Sequence, residues 1–229
     1  MPRPKVILFD AMGVLYRYGN VQGRVLIPYL RAHGCELTEV EIRAAYRSAT
    51  LGHMTTDQFW SAAGLPGKGR DADYCRQHQL TEGVPQALAE LASDGVELAC
   101  LSNDTAVWSA LVRRRFGLER YIRQWFISSD LQTRKPDADA YRAALDALDT
   151  PPEETVFVDD RPVNLAPARS LGMRTILFRS DDTDAHPEPA AERDSHHGVR
   201  TMPELVAAVR ELRSATGARR PCNPASEPL

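Results

Sequence analysis

Three short apolar stretches of this 229-residue chain each run into polar side chains that can do chemistry. VILF ends on Asp10, and the next acidic residue does not come until Glu36. VELACL runs into Ser102, Asn103 and Asp104, and TVFV runs into the adjacent pair Asp159 and Asp160. One carboxylate after a strand commonly caps a helix. Unpaired carboxylates brought together repel and raise each other's pKa, a cost that a divalent cation removes. A few hard oxygens with room for water and phosphate suit Mg²⁺. Lys135 and the Ser102 hydroxyl could hold the remaining phosphate oxygens. Asp10 could then attack phosphorus and form an aspartyl-phosphate that water cleaves. Spacing alone leaves a purely structural role open for the same residues.

The elements that must position them follow from periodicity. Lys5 to Phe9 reads as a buried strand bounded by Pro4 and Asp10. From about 20 to 80 the pattern is helical. Residues 21–33 are amphipathic, 38–50 open on a Thr38-to-Glu41 capping box, and Thr55–Asp57 can cap a third helix holding Phe59 and Trp60. Residues 64–73 read as a loop. Then strands (96–101, about 125–128, 155–158, 174–178) alternate with helices (83–94, 105–115, 137–148, 162–171, 202–214). This alternation predicts an α/β fold, a mainly parallel sheet with helices on both faces. Ligands bind outside the carboxyl ends of such strands, where Asp10, Ser102, Asp159 and Asp160 fall. The expected division is a Rossmann-like core from 1–15 and 82–214 with a small inserted helical cap at 16–81. The polar stretch 181–200 reads as a loop and 215–229 as a disordered tail.

Bulk properties exclude several classes. The chain is 43% hydrophobic and 26% charged with net charge −3, so it has no global basic footprint for nucleic acid. No signal peptide is read, and no apolar run is long enough to span a bilayer, so a cytoplasmic location is expected. Cys35, Cys75, Cys100 and Cys222 are scattered and suggest neither zinc nor disulfides. The expected assembly is a monomer or homodimer.

The same stretches resemble the four motifs of the haloacid dehalogenase-like superfamily. FDAMGVLY resembles the nucleophile motif with Asp10 as nucleophile. CLSND resembles the second, with Ser102 as the phosphate-binding hydroxyl and Asn103, which follows it, holding the loop or contacting the substrate. RKPDADAY resembles the third, with Lys135 as the cationic clamp. VFVDDRPVNLAPARSLGM resembles the fourth, with Asp159 and Asp160 as metal-side carboxylates. The resemblance runs from residue 5 to about 178, in the expected order, and is closest to small-cap phosphatases. It implies a Rossmann-like core with a helical cap, Mg²⁺ as cofactor and a small phosphorylated metabolite as substrate. It also implies that the backbone carbonyl of residue 12 is a metal ligand.

Family phosphatases mostly carry an acid–base aspartate two residues after the nucleophile, where this chain has Met12. A thioether donates no proton, and such help is typically worth ~10²–10⁴ in rate. Three readings follow. The first is a Mg²⁺ phosphatase that is slow or acts on phosphates with good leaving groups. The second is a metal-independent 2-haloacid dehalogenase, which also has a non-acidic residue there but does not present two adjacent aspartates in its fourth motif. The third is a catalytically weakened binding or regulatory protein. Arg17, after the nucleophile strand, is a candidate contact for an anionic substrate group.

Overall fold

Val6–Phe9 (β1) is apolar and buried at every position, as a strand covered on both faces must be. In the computed structural model, which describes residues 2–180 and 197–214, β1 lies inside a six-stranded sheet. Its other strands are β2 (Glu97–Ser102), β3 (Gln124–Ile127), β4 (Thr155–Asp159), β5 (Arg174–Phe178) and β6 (His197–Val199). Their order is β3-β2-β1-β4-β5-β6, and every pairing is parallel. Phe9 sits opposite Cys100 on one side and Val158 on the other. That register brings Asp10, Ser102 and Asp159 to one carboxyl edge. The chain steps from β1 to β2 to β3, then crosses to the far side of β1. Ligands of open α/β sheets bind at such a reversal of strand order.

Between β1 and the next core helix the chain is helical: α1 (Ile27–Ala32), α2 (Glu39–Thr50), α3 (Thr56–Ala62) and α4 (Arg70–Cys75). Both expected caps form. The Thr38 and Thr55 hydroxyls accept from the backbone N–H of Glu41 and Gln58, whose side chains reach back to the capping residues' own N–H. The remaining helices are α5 (Val84–Ser93), α6 (Ala106–Arg115), the short α7 (Ser128–Leu131), α8 (Ala138–Leu148), α9 (Pro162–Ser170) and α10 (Met202–Ser214). Side chains of β1 alternate between the two faces. Ile7 and Phe9 join a buried cluster with Leu88, Trp108 and Leu205, whereas Val6 and Leu8 join another with Tyr141, Leu145 and Leu165. The first cluster also takes in Leu30, Ile42, Trp60 and Tyr74, so α1–α4 share one apolar core with that face of the sheet.

Four local expectations change. The 21–33 helix opens with a π-helical turn, Gln22–Leu26, in which the Ile27 N–H reaches back to the Gln22 carbonyl. Pro28 follows and has no N–H to continue the tighter ladder. The loop expected at 64–73 ends early. Gly69 takes a left-handed conformation (φ 86°), and α4 starts at once with Asp71 and Asp73 in its first turn. The stretch 181–200, expected as a loop, ends in β6, which extends the sheet beside β5; 181–196 and the expected tail at 215–229 lie outside the described residues. The short helix α7 after β3 was not expected. Among the described residues no helix is long and apolar enough to cross a membrane, and Cys35, Cys75 and Cys100 are buried free thiols.

Candidate active site

Asp10 follows β1 directly, and its Oδ1 accepts from the Ala11 N–H at 2.7 Å and pairs with Lys135 Nζ at 2.7 Å. Oδ2 is left without a partner among the described residues. Lys135, only 2% exposed, bridges to Asp159 Oδ2 at 2.8 Å. It reaches this point because Asn103 clamps its backbone. The Asn103 Oδ1 accepts from the Lys135 N–H, and Nδ2 donates to the Lys135 carbonyl, both at 2.9 Å. Asn164 in α9 does the equivalent for Asp159, donating to both carboxylate oxygens at 3.0 Å, and the Arg161 N–H adds a bond to Oδ1 at 2.9 Å. Asp159 is fully buried and occupied by these donors. It is built to hold Lys135 and the β4–α9 loop, whereas Asp160 lines the open cleft.

The cleft holds about 80 Å³, room for a phosphoryl-sized group and a few waters. Asp10, Met12, Ser102, Asn103, Lys135 and Asp160 all line it. The Ser102 hydroxyl is buried and has no hydrogen-bond partner among the described residues. Buried polar groups are nearly always satisfied, so an orphaned hydroxyl facing a cleft marks where a ligand oxygen belongs.

Carboxylate oxygens of Asp10, Asp159 and Asp160 all lie within 4.8 Å of one another. Among the described residues Lys135 is the one cation in direct ion-pair contact with these carboxyls. Burial pushes Asp10 up to about 7, the Asp159 charge adds to this, and Lys135 opposes it. Burial and then Asp159 and Asp10 push Asp160 well above the carboxylate range, with Lys135 and Arg161 opposing. Burial works against the charge of Lys135, but Asp10 and Asp159 outweigh it and raise its pKa. Asp160 makes no ion pair among the described residues. The uncompensated charge and all-oxygen donors fit a hard divalent cation. Gly13 permits the close approach: its φ is 84°, and a Cβ there would collide with the Asp160 carboxylate.

Met12 lines the cleft beside Asp10. Apart from Asp10 and Asp160, the lining residues include no carboxyl, histidine or cysteine. Arg17 is not brought to the cleft; its Nη1 donates to Gln79 Oε1 at 3.1 Å. Tyr46, Gln22, Arg134 and Arg161 do line it, and sequence reasoning missed them. For the two arginines a signal existed. They adjoin Lys135 and Asp160 in the chain, on the same strand-end loops.

The family model of haloacid dehalogenase-like hydrolases matches residues 4–172. A ribulose-1,5-bisphosphate 5-phosphatase from Halopiger xanaduensis is 29% identical over 155 residues, 66% of this chain and 60% of that relative's length. Among solved structures, a family enzyme from Bacteroides thetaiotaomicron in complex with magnesium and inorganic phosphate superposes with a TM-score of 0.66 at 20% identity. The match covers 83% of this chain and 98% of that one. L-2-haloacid dehalogenase from Xanthobacter autotrophicus gives 0.62 at 20% identity, covering 90% and 98%.

Proposed function

The chain belongs to the haloacid dehalogenase-like hydrolases, and on that premise we propose that it is a Mg²⁺-dependent phosphatase of a small phosphorylated metabolite. The observation that carries this reading is the buried Asp10–Lys135–Asp159 chain with Asp160 and the unpartnered Ser102 hydroxyl around one small cleft. Asp10 and Asp160, with the Met12 carbonyl, would hold the cation, and Asp159 would keep Lys135 in place. When bound, the cation would offset the repulsion between the Asp10 carboxylate and a dianionic phosphoryl group. The helical segment 16–81 acts as the cap that selects the substrate.

Asp10 Oδ2 attacks phosphorus, the bond from phosphorus to the leaving oxygen breaks, and an aspartyl-phosphate forms. Lys135 and Ser102 hold phosphoryl oxygens through this step. Water then attacks phosphorus, the bond to Asp10 breaks, and phosphate leaves with the carboxylate restored. Met12 supplies no proton to the leaving oxygen, and beyond Asp10 and Asp160 the described lining residues offer no carboxyl or histidine in its place. The enzyme therefore favours phosphates whose leaving groups depart without protonation.

A metal-independent dehalogenase is the second reading, and Met12 favours it. Asp160 weighs against it, because a buried carboxylate with no cationic partner is a liability in a site that uses no metal. Acid-quenched turnover followed by peptide mass analysis separates the two. The phosphatase reading predicts a phosphoryl adduct on the peptide carrying Asp10. Chloride release from 2-chloroacids without metal, and no phosphoryl adduct, would replace it with the dehalogenase reading.

A further inference from the structure

Arg134 and Arg161 line the same cleft as Asp10, Ser102, Lys135 and Asp160, yet the steps above use neither. Among the described residues neither guanidinium makes an ion pair. Arg134 Nη1 donates to the neutral Thr50 Oγ1 at 3.0 Å, at the end of α2. The Nε of Arg161 is buried and has no hydrogen-bond partner among the described residues. Both side chains are half-buried rather than fully solvated. Burial, and after it the like charges of Arg47 and Arg161, press Arg134 below its ordinary value. Asp160 feels the Arg161 charge at longer range, but neither guanidinium pairs directly with a carboxylate among the described residues, so donors on both remain open to an anion. Their flat forks match carboxylate or phosphate oxygens in paired hydrogen bonds. The transferred phosphoryl already has Lys135, Ser102 and the cation-binding carboxylates. Both arginines line the same cleft as Asp10 and Ser102, so a second anion would lie a few bonds from the first.

We propose that Arg134 and Arg161 form a subsite for a second anionic group on the leaving portion of the substrate. The substrate is then a compact phosphate ester carrying a carboxylate or a second phosphate. This inference rests on the phosphatase reading of the cleft, but its test needs no turnover. Isothermal titration calorimetry in Mg²⁺ compares methylphosphonate with phosphonoacetate and ethylenediphosphonate, none of which the enzyme can hydrolyse. The expected result is roughly 10–100-fold tighter binding of at least one doubly anionic compound. Arg134→Gln and Arg161→Gln should each bring that ratio toward one, and having both guards against one variant folding poorly. The tighter of the two doubly anionic ligands identifies the second group as carboxylate or phosphate. Equal affinities, no binding of the doubly anionic compounds at millimolar concentration, or an advantage that survives both substitutions would overturn the subsite. Absent phosphoryl transfer at Asp10 would overturn the phosphatase reading instead, and is read separately.

Discussion

Met12 lines the cleft beside Asp10, and in the proposed phosphatase it stands where a proton donor to the leaving group would be expected. If the missing proton donor limits the reaction, Met12→Asp should raise turnover of alkyl phosphates by up to roughly 10²-fold and of aryl phosphates far less. A uniform change across leaving-group pKa would mean that another group already supplies the proton. Asn103 illustrates a different kind of residue, one that fixes the backbone of Lys135 through two hydrogen bonds. Asn103→Ala removes both hydrogen bonds and leaves buried Lys135 backbone groups unmet. The expected cost is about 1–3 kcal/mol of stability and roughly a tenfold fall in kcat, measured by denaturant unfolding and steady-state kinetics. At this scale the sequence was informative wherever a polar residue follows a strand. Asp10, Ser102, Lys135 and Asp160 meet in the cleft as their spacing requires. Arg17 does not, because the chain turns after Tyr16 and carries it toward Gln79. Asp159 was legible as a site residue but not as the partner of Lys135, since nothing local says which of two adjacent carboxylates a distant ammonium will choose.

The strands and core helices follow their periodicities closely, because a parallel sheet buried on both faces tolerates little else. Helix α4 escaped notice because its evidence is not local. Asp71, in its first turn, accepts from Trp60 Nε1 at 2.7 Å, Trp108 Nε1 at 2.5 Å and Thr56 Oγ1 at 3.0 Å. One carboxylate thus ties α3, α4 and α6 together, joining the inserted helices to the sheet's own covering helix. Arg115, at the end of α6, adds bonds to the carbonyls of Cys75, Arg76 and His78. The triple arginine, legible only as favourable charge at a helix C-terminus, includes a clamp on the chain leaving α4. Asp71→Ala would strand two indole N–H donors and should lower stability by about 2–3 kcal/mol, or roughly 4–12 °C in Tm. A Tm within about 1 °C of wild type would show that the aromatic packing alone holds this junction.

The fold class of the whole molecule could be read before any coordinates, and β6 could not, because the three residues that form it sit in a polar stretch with no apolar run of their own. The pH response of the whole molecule was equally hidden. His78 is buried between the edges of the Tyr16 and Tyr74 rings. Burial lowers its pKa from 6.5 to about 4. The unfolded chain therefore binds a proton there that the folded chain refuses. Stability from the neutral ring is complete above about pH 6.5 and is lost as pH falls toward 4, on the order of 3 kcal/mol. Asp10 and Asp104, raised to about 7 by burial, act in the opposite sense over the same range, so the test is a difference: the Tm of His78→Asn relative to wild type should rise as pH falls from 6.5 toward 4, and a pH-independent difference would remove His78 from the response. The catalytic account meets its most direct test in hydrolysis of p-nitrophenyl phosphate, whose leaving group needs no proton, so that Met12 cannot mask activity. Turnover with Mg²⁺ is expected, abolished by EDTA and lowered by roughly 10³-fold or more in Asp10→Asn. No turnover, or turnover that persists in EDTA or in the Asp10→Asn protein, would contradict it.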